Sequence, residues 1–217
     1  MHTDREYFNH YLQAAAQPLP QMQEYFLREK EYLLELAAPQ EAVLDVGCGS
    51  GRNIKDLAPH VRLAVGIDSD AEMIEAAQRN LAGFHNVELY NEEFFAMDFP
   101  EQFDIAFCTY NTIGSPFVHA YKRDAFVRKM VEATKAGGNV VITFWKQDAT
   151  GMEFSKTYFS SLGVPVLKIE EAHVETAEGI FRRFSRADVE IMAKQVSSAY
   201  SIIDLTDVFF LLDITIQ

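Results

Sequence analysis

Two spacings of apolar residues alternate along the chain. Over residues 22–36 they recur every three or four positions, the pattern of a helix with one buried face, and the segment stops at Pro39. Immediately afterwards Ala42-Val43-Leu44-Asp45-Val46 forms a short, nearly continuous apolar run between breakers, which predicts a strand covered on both faces. Similar runs return at 61–67, 87–90, 103–109 and 139–145. Between them lie helical patterns at 53–58, from Ser69-Asp70-Ala71-Glu72 to about Leu81, and at 122–135, the last ending at Gly137-Gly138. Ser69 and Glu72 have the spacing of a capping box, in which a hydroxyl accepts from the third helical amide and the acid reaches back. Strand and helix in alternation predict an α/β fold, a doubly wound and mostly parallel sheet with helices on both faces.

The ends of the chain depart from that rhythm. Gln17-Pro18-Leu19-Pro20 separates an aromatic arm carrying Tyr7, Phe8 and Tyr11 from the rest, so residues 1–20 are expected to act as a lid or as a packed anchor helix. Residues 147–184 contain two apolar stretches, 164–169 and 180–184, and are expected to form an insertion of strands or turns above the sheet. Ser185-Arg186-Ala187-Asp188 can cap a further helix, after which 200–205 and 208–216 read as two strands joined at Thr206-Asp207, hence antiparallel. No repeat, charge block or flexible linker divides the 217 residues, and one domain is expected over 1–217.

Composition narrows the function. With 48% hydrophobic residues the chain can bury a sizeable core, and a net charge of −13 repels nucleic-acid phosphates and acidic membrane surfaces. The start of the chain lacks an apolar leader and no stretch is long enough to span a bilayer, so a cytoplasmic protein without a membrane partner is expected. Two cysteines, Cys48 and Cys108, supply neither a disulfide framework nor a metal site, and no metal is expected.

The informative segment is Val43 to Gly51, whose glycines at 47, 49 and 51 let the chain turn sharply and keep side chains away from a ligand at the start of the next helix. A dinucleotide fingerprint begins in the same way, but its sixth position is Arg52 here, where close packing of helix on strand calls for a small residue. Hydrophobic residues, an acid and then G-x-G-x-G resemble the first motif of the class I S-adenosylmethionine-dependent methyltransferases, and the likeness extends over about 36–145 and, more loosely, to the closing strand pair. It implies a seven-stranded sheet ending in a C-terminal antiparallel pair, S-adenosylmethionine as cofactor and S-adenosylhomocysteine as product.

The same resemblance implies roles for residues. The glycine turn, Gly47, Cys48, Gly49 and Gly51, would hold the methionine half, Asp45 would help orient its amino group, and Asn53 and Thr109 would also contact the cofactor. Asp68, ending the second strand, would bind both ribose hydroxyls, since one carboxylate can accept from two vicinal donors. Ser69 and Met73 would flank ribose and adenine, while Glu93 and Phe94 would meet the base. At the end of the fourth strand, Tyr110, Asn111 and His119 are the candidates for the acceptor side, with His119 the candidate base. The Asn-Pro-Pro-aromatic signature of base-methylating enzymes is absent, and Asn111-Thr112-Ile113-Gly114 looks instead like small-molecule methyltransferases. His173 and Glu170-Glu171 are further candidates within the insertion, and Trp145 is expected to pack in the core. The reading is methyl transfer to nitrogen or oxygen of a small-molecule acceptor. A non-catalytic cofactor-binding sensor and a protein methyltransferase stand as alternatives.

Overall fold

The computed structural model describes residues 4–39 and 41–217, with side chains from Asn9 onward except that of Ala15. Seven strands form one sheet in the order β3-β2-β1-β4-β5-β10-β9. Strands β1 (Ala42–Val46), β2 (Leu63–Asp68), β3 (Val87–Asn91), β4 (Phe103–Cys108) and β5 (Thr134–Trp145) run parallel. β10 (Phe209–Thr215) is antiparallel to both β5 and β9 (Tyr200–Asp204) and lies between them. The doubly wound, seven-stranded sheet with its closing antiparallel pair is thus the expected one.

The helices cover both faces because the strands are apolar on both. α3 (Arg52–Leu57) and α4 (Ala71–Leu81) place Ile54, Leu57, Ile74 and Ala77 on one face, joined by Leu33 of α2 (Pro20–Leu36). α5 (Arg123–Ala133) and α7 (Arg186–Lys194) place Phe126, Met130, Val189 and Met192 on the other. β1 sits centrally and is buried at all five positions, Asp45 included. A third apolar cluster lies at the carboxyl edge of the sheet, where Ala14 of α1 (Asp4–Ala16) meets Tyr25, Trp145, Phe159 and Phe209.

Three expectations change. The first concerns the α4 cap, which is Asp70 and not Ser69: the Asp70 carboxylate accepts from the amides of Glu72 and Met73, and Ser69 is left to face the cleft. The second concerns Gly137-Gly138, which does not stop α5. The helix ends at Ala133, and the glycines lie inside β5, where a side chain at Gly138 would come within 2.4 Å of the Asp104 carbonyl oxygen. The third is a helix within 147–184, α6 (Ala149–Ser161), capped by Asp148 accepting from the Gly151 amide. Behind it β6 (Val166–Ile169), β7 (His173–Thr176) and β8 (Gly179–Arg182) form a small antiparallel sheet. Buried Arg183 stitches sheet to helix, donating to the carbonyls of Glu171 and His173 and to Ser155 Oγ.

Candidate active site

The site begins where β1 turns into α3. The amides of Gly47 and Cys48 both donate to the Ile67 carbonyl, at 2.8 and 3.0 Å, which locks the turn to the end of β2. Gly49 has φ +52, and a side chain there would fall 2.8 Å from the phenol oxygen of Tyr11, so the arm's helix presses directly on the turn. Gly51 serves packing instead. Its added carbon would meet Leu81 of α4 at 2.6 Å.

Asp68 is held by this turn: one carboxylate oxygen accepts from the Gly49 amide at 2.8 Å, the other from the Asp70 amide at 3.0 Å. Burial raises its pKa, and these two backbone donors pull it back down. Each oxygen keeps a lone pair for a further donor. Asp45 lies deeper, and burial raises its pKa strongly, with the charge of Arg52 opposing. Arg52 itself pairs with buried Glu29 of α2 at 2.5 Å and lies 4.2 Å over the Phe26 ring. The Tyr25 hydroxyl donates to Glu29, and it in turn accepts from the Tyr110 amide at 2.8 Å. One buried network therefore joins α2, the glycine turn and the end of β4.

A cavity of about 570 Å³ opens along the carboxyl edge of the sheet. Gly47, Gly49, Asp68, Ser69, Met73, Glu93 and Phe94 line one half of it, so the cofactor candidates from three strand ends converge there. Glu93 and Phe94 open a short helical turn after β3, and Phe94 is buried against Phe126 with ring centres 5.2 Å apart. Asp45, Cys48, Gly51, Asn53 and Thr109 stand behind the wall and do not line it. Asn53 Nδ2 donates to Thr109 Oγ1 at 2.9 Å, and burial raises the Cys48 pKa well above that of a reactive thiol.

The other half is aromatic. Tyr110 lines it, its hydroxyl 2.7 Å from that of Tyr158 and its ring 5.8 Å from the Tyr11 ring. Trp145 lines it too, packed against Phe154, Tyr158 and Phe159, and its indole nitrogen is buried without a hydrogen-bond partner among the described residues. Asn111 also reaches the wall, but its amide is engaged at both ends: Nδ2 donates to the Arg182 carbonyl at 3.0 Å and Oδ1 accepts from the Trp145 amide at 3.2 Å. It ties β5 to β8. His119 lies elsewhere, exposed ahead of α5 with its ring stacked on Tyr121 at 5.5 Å, and does not line the cavity. His173 pairs loosely with Glu170 at 3.7 Å and neither lines the cavity.

Among the lining residues that escaped the sequence reading are His10 and Glu178. His10 of α1 bonds through Nδ1 to Glu178, which sits in the turn between β7 and β8 with its side chain only 4% exposed. They are 168 positions apart, and nothing in either neighbourhood signals the other. The side chains of Tyr7 and Phe8 lie outside the described residues. Burial pushes the Tyr11 hydroxyl up to about 12, with Arg52 opposing and Asp45 and Asp68 adding to it.

An open sheet whose first turn, second-strand acid and third-strand acid meet in one cleft at its carboxyl edge defines the Rossmann-like methyltransferase architecture. Residues 43–138 match the family model of a methyltransferase domain, and that match together with the fold supports a class I S-adenosylmethionine-dependent methyltransferase. Among solved structures, DhpI in its SAH complex is similar over 95% of this chain and 91% of its own, at 19% identity and a TM-score of 0.70. An S-adenosylmethionine-dependent methyltransferase from Clostridium acetobutylicum is similar over 98% and 100%, at 14% identity and 0.65, and a SAM-dependent methyltransferase from Aquifex aeolicus over 90% and 92%, at 18% and 0.60. No curated protein matches the sequence significantly. No helix among the described residues is long and apolar enough to cross a membrane.

Proposed function

We propose that the chain transfers the methyl group of S-adenosylmethionine to nitrogen or oxygen of a small-molecule acceptor seated in the aromatic half of the cavity, beneath the arm. The observation that carries this reading is the cavity itself. Its volume of about 570 Å³ is in the range of small-molecule sites, and it continues without a break from the Asp68 cleft to the wall of Tyr110, Trp145 and Tyr158. The donor set suits the cofactor. Asp68 keeps two lone pairs for vicinal ribose hydroxyls, Glu93 and Phe94 suit the amino group and face of adenine, with Ser69 and Met73 beside them, and the bare backbone of Gly47 and Gly49 admits the methionine half. Behind it Asp45 is buried within the field of the Arg52 guanidinium. Bound there, S-adenosylmethionine supplies an electrophilic methyl on a sulfonium.

What the protein contributes is alignment and dryness. Methyl transfer is an in-line displacement, so the enzyme gains most by fixing the acceptor against the methyl and excluding water. Tyr110, held by Tyr25 and Tyr158, forms the floor under the acceptor. The arm, residues 1–20, brings Tyr11 and His10 over the opening and closes it. A polypeptide or nucleic-acid acceptor would have to displace that helix, which favours a compact one. Melting experiments test the cofactor half: S-adenosylhomocysteine raises the melting temperature by mass action and NAD does not. Incubation with methyl-deuterated S-adenosylmethionine and a small-metabolite extract tests the rest, a labelled product below about 1 kDa being expected. Label found only in protein would overturn the small-molecule reading.

A further inference from the structure

Six acidic side chains line the cavity, Asp68, Asp70, Glu72, Glu92, Glu93 and Glu178, and among the described residues no lysine or arginine does. Five of them belong to the cofactor half. Glu178 stands apart, at the aromatic end, with its carboxylate buried and its partner a histidine instead of a fixed cation. A buried carboxylate is costly unless a positive charge or several donors meet it. The walls around it, Tyr110, Trp145, Tyr158, Phe159 and Phe181, present π faces, which attract cations and repel anions. The indole nitrogen of Trp145 is buried without a partner among the described residues, which marks this end as one that a ligand can complete.

We propose that the methyl acceptor is an amine that enters as its ammonium ion, with Glu178 as counter-ion and His10 as the group that takes its proton. This rests on the methyl-transfer reading and adds the acceptor's class to it. A phosphate or carboxylate acceptor would face six acids and, among the described residues, no lining lysine or arginine, and an alcohol would bring no positive charge to Glu178. The arrangement of His10 fits the proton's route. Its Nδ1 is turned to the Glu178 carboxylate, an acceptor, which leaves Nε2 as the ring nitrogen to receive the proton. The ammonium gives one N–H proton to Nε2. The freed nitrogen lone pair then forms the N–C bond as the C–S bond breaks with its electrons on sulfur, leaving the methylated ammonium and S-adenosylhomocysteine. The other titratable groups lining the cavity are the carboxylates named above and the phenols of Tyr11, Tyr110 and Tyr158. Burial raises the pKa of Tyr11 and Tyr110, so these two stay neutral and do not compete for the proton.

The experiment uses matched probes on the full chain: 2-phenylethylamine, 2-phenylethanol and 3-phenylpropanoate, and the hexyl amine, alcohol and carboxylate. Binding is read as the shift in melting temperature of the S-adenosylhomocysteine-saturated protein, and transfer as deuteriomethyl label by mass spectrometry. Only the amines are expected to stabilise and to be labelled. Glu178→Gln should weaken amine binding by about 30-fold or more, while S-adenosylhomocysteine affinity stays within about 2-fold. His10→Ala should lower kcat by about 100-fold at neutral pH with little change in KM, and activity should recover as the pH approaches the amine's own pKa. Label on an alcohol or carboxylate in preference to the amine overturns the amine class alone. So does a Glu178→Gln protein that still prefers amines. If both variants lower melting temperature, S-adenosylhomocysteine affinity and turnover together, the pair is only a latch for the arm. Intact S-adenosylhomocysteine binding with no labelled probe overturns methyl transfer and the amine class together.

Discussion

At the scale of single residues, Asp68 joins sequence to chemistry most directly. Its two backbone bonds hold the carboxylate at the edge of the cleft, so if it binds the ribose as proposed, removing it should cost binding without loosening the sheet. Asp68→Ala is expected to weaken S-adenosylhomocysteine by about 2 kcal/mol, measured by calorimetric titration, and an unchanged affinity would place the ribose elsewhere. Buried Glu29 makes a different case. With Glu29→Ala the Arg52 guanidinium stays in the interior without its partner, and a loss of about 3 kcal/mol in unfolding free energy is expected from urea titration. That Asp68, Ser69 and Glu93 line the cleft was legible in the sequence because each stands at or just beyond a strand end, and strand ends are visible as apolar runs. Glu29 was not, being one acid among several on a helix whose periodicity reveals only its apolar face. His10 and Glu178 were hidden for another reason: their meeting depends on where the arm and the hairpin come to rest, which no local pattern encodes.

At the scale of elements, the parallel strands were readable because a strand buried on both faces has few alternatives to a continuous apolar run. α6 was not. Gly151 lies in its first turn, and serines and threonines dilute its apolar spacing, which lowers helix propensity throughout. The glycine has a steric reason, since a side chain there would come within 1.9 Å of the Lys146 carbonyl oxygen. Packing of Phe154, Tyr158 and Phe159 under Trp145 then outweighs the weak propensity. The arm can be judged in the same way. It adds no strand, buries Ala14, and meets the body through Tyr11 and the His10–Glu178 pair. Deleting residues 1–16 should therefore lower the melting temperature by only a few degrees, about what a loss of 1 kcal/mol does to a chain of this size, and should abolish most methyl transfer. A fall of more than about 10 °C in a thermal melt would make the arm part of the core.

At the scale of the whole molecule, a charge of −13 makes acidity the natural lever on stability. Burial works against the charge on Asp104 and Asp188, yet the Ala42 amide and Lys135 hold the first, and Ser185 and Arg182 the second, below the usual carboxylate range. Their contribution is complete above the unfolded value near pH 4 and is lost as pH falls through the folded one. Asp45 and Asp68 act in the opposite sense, since burial raises both, so their protonated forms favour the fold as pH falls towards that value. Melting temperature is thus expected to be highest in mild acid and to drop below about pH 4; a rise continuing to pH 3 would contradict this. The contact of Tyr11 with Gly49 bears on tempo. The phenol rests within 3 Å of where a single added carbon would stand, on the stretch of backbone proposed to receive the methionine half, so the resting helix and that half compete for the same space. If the methionine half takes that backbone as proposed, α1 has to shift to admit it and again to release the product. If that shift sets the pace, kcat should fall in proportion to the viscosity of added sucrose, as friction on a moving helix dictates, and truncation at residue 16 should remove the dependence.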